Sequence, residues 1–325
     1  MKITILFVVI LVTVASCSTL PVFDLPTSRL DLSEITKWNN EYYFSEGVAG
    51  LYKLEGDSLI EYKVDSIIDI KQCSEQTHLL KAPNDSTLII VYPDKTENII
   101  KNRTDLESKY FKIHLNEQCQ ILLEYGTAFF KIQEDKFIDY NMAYGFNENQ
   151  SPNGSDKVGY FNNFIFLTKY PGYFSGGCFQ FHLDSLHEYN LPTDMKIRDF
   201  KIHNDQLLIA NGYHDTIEDE ELMESRLMVV RDNQLMEMET GIPKDLDISR
   251  IFTNDKHVYF LSEKQGFFRL TTDKPELLIS INLRDSHIEP ENFFVDGDKI
   301  YLTTWEHGLL IFEGEKEEYD LRQVK

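Results

Sequence analysis

Apolar positions in this chain come in short runs broken by pairs of Asn, Asp or Gly. In Phe200-Lys201-Ile202-His203-Asn204-Asp205-Gln206-Leu207-Leu208-Ile209, an alternating stretch meets a polar pair and then a continuous apolar run. Asn and Asp tolerate the positive φ that two-residue hairpin turns require, so the pattern predicts strand, tight turn, strand. Trp38 to Phe44, Phe252 to Leu261 and Phe294 to Leu302 follow the same plan. Weaker copies span Asn84 to Val91, Phe130 to Ile138 and Phe161 to Leu167.

A glycine-led strand follows several of these turns: Gly50-Leu51-Tyr52-Lys53-Leu54, Gly177-Cys178-Phe179-Gln180-Phe181, Gly266-Phe267-Phe268-Arg269-Leu270 and Gly308-Leu309-Leu310-Ile311-Phe312. Each leads through a polar turn to a fourth strand, such as Ser58 to Tyr62 or Glu318 to Leu321. Four antiparallel strands in succession make one propeller blade. The turns at Asn163, Asp205, Asp255 and Asp298 lie 42 to 50 residues apart, the period of propeller repeats. The interval from Asp85 to Asn163, 78 residues, is long for one plain blade and short for two, with Asp135 marking an irregular one between.

Leu88–Val91, Phe164–Leu167 and Leu207–Ala210 are apolar on consecutive residues, which predicts burial on both faces. Blades stacked in a ring bury both faces, whereas a β-sandwich shows cleaner alternation. The predicted fold over residues 35–325 is therefore an all-β propeller of four-stranded antiparallel blades. Seven blades of about 44 residues are favoured, with six of about 51 as the alternative.

Gly50-Leu51-Tyr52-Lys53-Leu54 resembles the G-L-Y-R-L strand of sensor-type propeller repeats. Over roughly residues 35–321 the chain resembles the β-propeller lipoproteins of Bacteroidota-like bacteria. At the N-terminus, Lys2 precedes an apolar and small-residue run from Ile3 to Ala15, an export signal too short to span a bilayer. Val14-Ala15-Ser16-Cys17 resembles the lipobox of bacterial lipoproteins. That resemblance implies that residues 1–16 are removed, that Cys17 carries the lipid, and that residues 17–34 form a tether. No early Asp or acidic cluster follows Cys17, which by analogy with lipoprotein sorting signals points to the outer membrane.

Net charge is −22, an acidic shell that argues against nucleic acid or anionic headgroups as partners. Beyond Cys17 only Cys73, Cys119 and Cys178 remain, so at most one disulfide can form. None lies in a CxxC, and their neighbours suggest small half-buried residues, with one pairing left open.

Candidate chemistry is sparse. The nine histidines stand singly, without HxH or HExxH spacing, and no G-x-S-x-G, Walker or Rossmann pattern occurs, so no catalytic residue, metal or cofactor is expected. Asp215 with Glu218 to Glu221 is the densest acidic cluster, but a solid acidic run lacks the interleaved carbonyl donors of a calcium loop. Tyr170, Tyr173 and Phe174, on a Pro/Gly frame, form the most distinctive loop. Together with Asp215, Glu218 and Glu220 they are the candidate ligand-binding residues, near a long polar insertion at 145–156. The expected function is a non-catalytic binding or scaffolding module for an envelope protein, peptide or glycan, as a monomer or part of a complex. The alternative is a hydrolase or lactonase-like enzyme, which needs several Asp, Glu, Asn or His residues converging in the central channel.

Overall fold

The computed structural model describes residues 23–324 apart from internal segments, of which 141–156, 170–176, 183–187, 191–196 and 212–225 are the longest. Among the described residues, the strands form seven sheets, each of four antiparallel strands in chain order. The first strands of the sheets are Leu32–Trp38, Ile67–Cys73, Phe111–Leu115, Lys157–Phe161, Ile197–His203, Arg250–Thr253 and Pro290–Asp296. Each packs against the next, and the first also packs against the last. The sheets are thus blades around a central channel, numbered here 1 to 7 in chain order. Every blade is completed from consecutive strands, so the ring closes by packing, with no strand shared between the chain ends.

The consecutive apolar runs are explained by this stacking. Side chains alternate across a strand, so neighbours in one run feed two different cores. In blade 5, Leu207 and Ile209 join the core shared with blade 4, while Leu208 and Ala210 join the core shared with blade 6. In blade 7, Leu310 and Phe312 face blade 6, and Leu309 and Ile311 face blade 1. Each fully buried Leu or Ile contributes about 2 kcal/mol of transfer free energy, which an isolated blade could not gain on both faces. The glycine that opens a third strand also has a local cause. Gly266 sits at φ +115, and a Cβ there would lie 2.0 Å from the Ile279 carbonyl oxygen.

Two expectations need correction. Asn84-Asp85 joins the second and third strands of blade 2, and Asp135, itself outside the described residues, falls in sequence between the third and fourth strands of blade 3. The first turns of those blades lie instead between Cys73 and Gln76 and between Leu115 and Ile121, and the anomalous 78-residue interval disappears. The confusion has a physical source, because every hairpin in a blade uses the same chemistry. Asn84 Oδ1 accepts the Ser86 N–H at 3.0 Å, and Asn116 Oδ1 does the same for Gln118 at 3.0 Å. The second correction concerns the thiols. Cys73 and Cys119 are joined in a disulfide across 46 residues, tying the innermost strand of blade 2 to the first turn of blade 3.

Part of the expected tether lies against the last blade. The Phe23 N–H donates to Ser286 Oγ at 3.0 Å, the Ser28 N–H donates to the Glu306 carbonyl, and Gln323 Nε2 donates to the Pro26 carbonyl at 2.7 Å. Phe23 and Leu25 pack on the core shared by blades 6 and 7. Among the described residues no helix is long and apolar enough to cross a membrane.

Candidate functional site

The channel opens on the face that carries the first and third turns of the blades. A cavity of about 1220 Å³ there is bounded by the ends of the innermost strands of blades 1, 2, 3, 5, 6 and 7. Its rim is made by turn residues: Asn39 and Asn40 at φ 51 and 62, and Asn204 and Asp205 at φ 49 and 56. Asn and Asp are the side chains best able to hold such a conformation, so the residues that make the hairpins also supply the polar rim. Asn116, Asn254 and Lys95 extend this polar rim. Trp38, Tyr92, Phe252 and Phe294 add aromatic surface, the last two in tilted contact with centroids 4.7 Å apart.

Deeper in the channel the innermost strands share a polar position, five residues before the first turn. Glu34, Asp69, Asp199, Ser249 and Asn292 occupy it in blades 1, 2, 5, 6 and 7. In blades 1, 2, 5 and 7 the strand register shifts just before this residue, and in blades 1, 2 and 5 its side chain reaches the adjoining blade. Asp69 Oδ1 accepts the Ile70 N–H at 2.8 Å, and its Oδ2 accepts the Ile113 N–H of blade 3 at 2.9 Å. Asp199 repeats this, accepting from Phe200 at 2.9 Å and from Ile251 of blade 6 at 2.8 Å. Each carboxylate thus ties one blade to the next. Burial pushes the Asp69 carboxyl up to about 6, against the pull of the Ile113 N–H, the Lys112 charge and the Ile70 N–H.

Glu34 is in contact with the Lys71 ammonium, and His114 Nε2 lies 2.6 Å from Glu124 Oε2. A second cavity of about 320 Å³ lies between blades 1, 2 and 3 and includes Glu34, Asp69 and Lys112 in its wall. Among the described residues, no group of three or more His, Cys, Asp or Glu side chains could hold a metal ion.

The residues singled out from sequence, Cys17, Tyr170, Tyr173, Phe174, Asp215, Glu218 and Glu220, lie outside the described residues. Sequence reasoning missed Asp69 and Asp199, although a signal existed. Asp69-Ile70-Lys71 and Asp199-Phe200-Lys201 are parallel tripeptides at one distance from the first turn.

The sequence matches no protein-family profile and no characterised protein. Its likeness to solved structures is one of shape. The WD40 domain of Neurospora crassa Pan2 superimposes with a TM-score of 0.50 at 8% identity, over 91% of this chain and 92% of that one. The computationally designed Ika8 protein gives 0.49 at 8% identity, over 93% and 90%. The β-propeller domain of the trilobed protease from Pyrococcus furiosus gives 0.46 at 12% identity, over 90% and 95%. Such identities speak to fold alone. On its own sheet order and ring of packed inner strands, the chain is an all-β propeller of four-stranded antiparallel blades.

Proposed function

We propose that this chain is an exported, lipid-anchored, non-catalytic binding propeller that holds its ligand at the mouth of the channel lined by the first and third turns. The observation that carries this reading is the use made of the channel carboxylates. Asp69 and Asp199 have both oxygens engaged by backbone N–H groups of two blades, and Glu34 is paired with Lys71. Carboxylates committed to holding blades together are poorly placed to serve as acid, base or metal ligand. The mouth presents Asn amides, aromatic faces and lysines, which suit the recognition of a polar partner. An envelope protein, peptide or glycan fits that chemistry. The Cys73–Cys119 disulfide accords with an oxidising compartment, and the lipobox-like Cys17 supports anchorage at the bacterial outer membrane.

Two measurements test this. Palmitate labelling should mark the wild type and not Cys17→Ala, and labelling of the variant overturns the anchor. For binding, Asn40→Gly with Asn204→Gly removes two rim amides while keeping turns that accept positive φ. Capture of the best ligand from a glycan and peptide panel should weaken by about tenfold, with the melting temperature nearly unchanged. Turnover of a lactone or glycoside that is lost in Glu34→Gln establishes the enzyme instead.

A further inference from the structure

We infer that the back of the ring at blade 7 is a lipid-contacting surface, where Trp305 seats its indole in the headgroup layer of a zwitterionic bilayer. This rests on the reading of Cys17 as the anchor and names what the anchor brings against the protein.

Antiparallel strands send the first and third turns of a blade to one face, and the second turn and the link to the next blade to the other. Trp305 lies in the second turn of blade 7, between strands Lys299–Thr304 and Gly308–Glu315, and so faces away from the mouth. That turn is firmly held. Thr304 Oγ1 donates to the Gly308 carbonyl at 2.9 Å and accepts the His307 N–H at 3.0 Å, and the Trp305 N–H donates to the Glu289 carbonyl at 3.1 Å. Thr304 and His307 are buried, yet Trp305 between them is 41% exposed.

The same turn fastens the segment that leads to Cys17. The Glu306 carbonyl accepts the Ser28 N–H, and Gln323 Nε2 donates to the His307 and Pro26 carbonyls at 2.8 and 2.7 Å. Phe23 is held at Ser286, in the link before blade 7. Six residues take the chain from Cys17 to Phe23, a reach of at most ~20 Å. A bilayer that holds the lipid of Cys17 therefore approaches the ring where this segment is fastened, beside Trp305.

Single exposed apolar side chains are ordinary on protein surfaces, and Trp305 stands apart by its type and its place. Five large apolar side chains are exposed among the described residues. Ile60, Ile99 and Met236 belong to outermost strands, Val64 to the link between blades 1 and 2, and Trp305 to a second turn. The back thus carries two of them, and the first and third turns carry none. Tryptophan suits the headgroup layer, because its broad apolar ring joins the acyl boundary while its N–H stays within reach of water. Glu289 and Glu306 border the ring and Asp24 is exposed on the docked segment, with Arg284 offsetting only part of that charge. Anionic headgroups are repelled by such a border, and zwitterionic ones are not.

Trp38 and Trp305 are the two tryptophans of the chain, so each face has its own reporter. The lipidated full-length protein is reconstituted into phosphatidylcholine and phosphatidylethanolamine vesicles with brominated acyl chains, which quench indole emission on contact. In Trp38→Phe, emission from Trp305 should fall by about half relative to unbrominated vesicles, as for a ring within ~10 Å of the acyl boundary. In Trp305→Phe, emission from Trp38 should stay the same in both. Unquenched Trp305, or equal quenching of the two tryptophans, overturns the lipid-contacting surface, and palmitate on Cys17 in the same preparation shows that the anchor stands. A wild-type protein that takes up no palmitate overturns the anchor, and this surface with it.

Discussion

The junction between blades 2 and 3 and the junction between blades 7 and 1 solve one problem with different means. Both bring together blades that share an apolar core: Leu80, Leu88, Phe111 and Phe130 in the first, Leu32, Phe44, Leu309 and Ile311 in the second. The interior junction adds a disulfide and the buried Asp69 carboxylate. The closing junction uses half-exposed polar contacts. Lys37 Nζ lies 2.5 Å from Asp296 Oδ2, Tyr42 donates to the same oxygen, and Arg322 pairs with Asp57. Tyr42 and Tyr301 add a tilted ring contact with centroids 4.3 Å apart. A chain that must close a ring with its two ends has fixed the interior firmly and left the closure to packing, aided by the segment from Phe23 to Leu30.

Breaking the covalent tie has the largest expected effect. Cys73→Ser with Cys119→Ser opens a loop of 46 residues, and chain entropy assigns such a loop about 4 kcal/mol. Reductant should lower the melting temperature of the wild type and leave that of the double variant where it is. Equal melting with and without reductant would mean that the bridge contributes nothing at this junction. Asp69→Ala comes next. It strands the N–H groups of Ile70 and Ile113 in a buried site, at a cost of about 3 kcal/mol in denaturant titration. Asp199→Ala should match it, because the geometry is the same at the junction between blades 5 and 6. Asp296→Ala, at the exposed closure, should cost about 1 kcal/mol. A loss at Asp296 equal to that at Asp69 would remove the contrast between the two junctions.

The smallest effect is one of pH, and it has opposite sign at the two places. The Asp69 carboxyl is raised to about 6 from an ordinary 3.8. Its contribution is fully present below the ordinary value and is lost as pH rises through about 6. Burial also works to raise Asp296, but the Lys37 ammonium and the Tyr42 hydroxyl outweigh it and hold that carboxyl below its ordinary range. Its contribution is present above the ordinary value and is lost as pH falls through the lowered one. The stability gap between wild type and Asp69→Asn should therefore narrow from pH 4.5 to 7.5. The gap for Asp296→Asn should hold steady across that window and shrink only in stronger acid.

Sequence conveyed the architecture better than the register or the site. Turn chemistry and runs buried on both faces are local properties, so Asn204-Asp205 and Leu207–Ala210 announced a hairpin between two neighbouring blades. Register in blades 2 and 3 was hidden because Asn84-Asp85 and Asp135 look like any other hairpin residues. The disulfide was hidden because spacing along the chain does not reveal that Cys73 and Cys119 have Cα atoms 5.6 Å apart. The rim residues were visible as turn makers, and nothing in a linear reading shows that turns from blades 1, 5 and 6 ring one opening. Asp69 and Asp199 read as ordinary polar positions in alternating strands, and only the folded register reveals the neighbouring N–H that each one accepts.

The docked segment before the first strand also settles which way the bowl faces. In a blade of four antiparallel strands, the first and third turns emerge on one side of the ring, and the second turn and the link to the next blade emerge on the other. The Phe23 and Ser28 contacts are with Ser286, in the link before blade 7, and Glu306, in that blade's second turn. The chain therefore enters at the back of the ring, and the rim of Asn39, Asn40 and Asn204 opens at the front. From Cys17 to Phe23 a fully extended chain reaches only about 20 Å. If Cys17 carries the proposed anchor, the ring is held by its back like a cup on a short stem, with the opening turned away from the support and clear for a visitor from the far side.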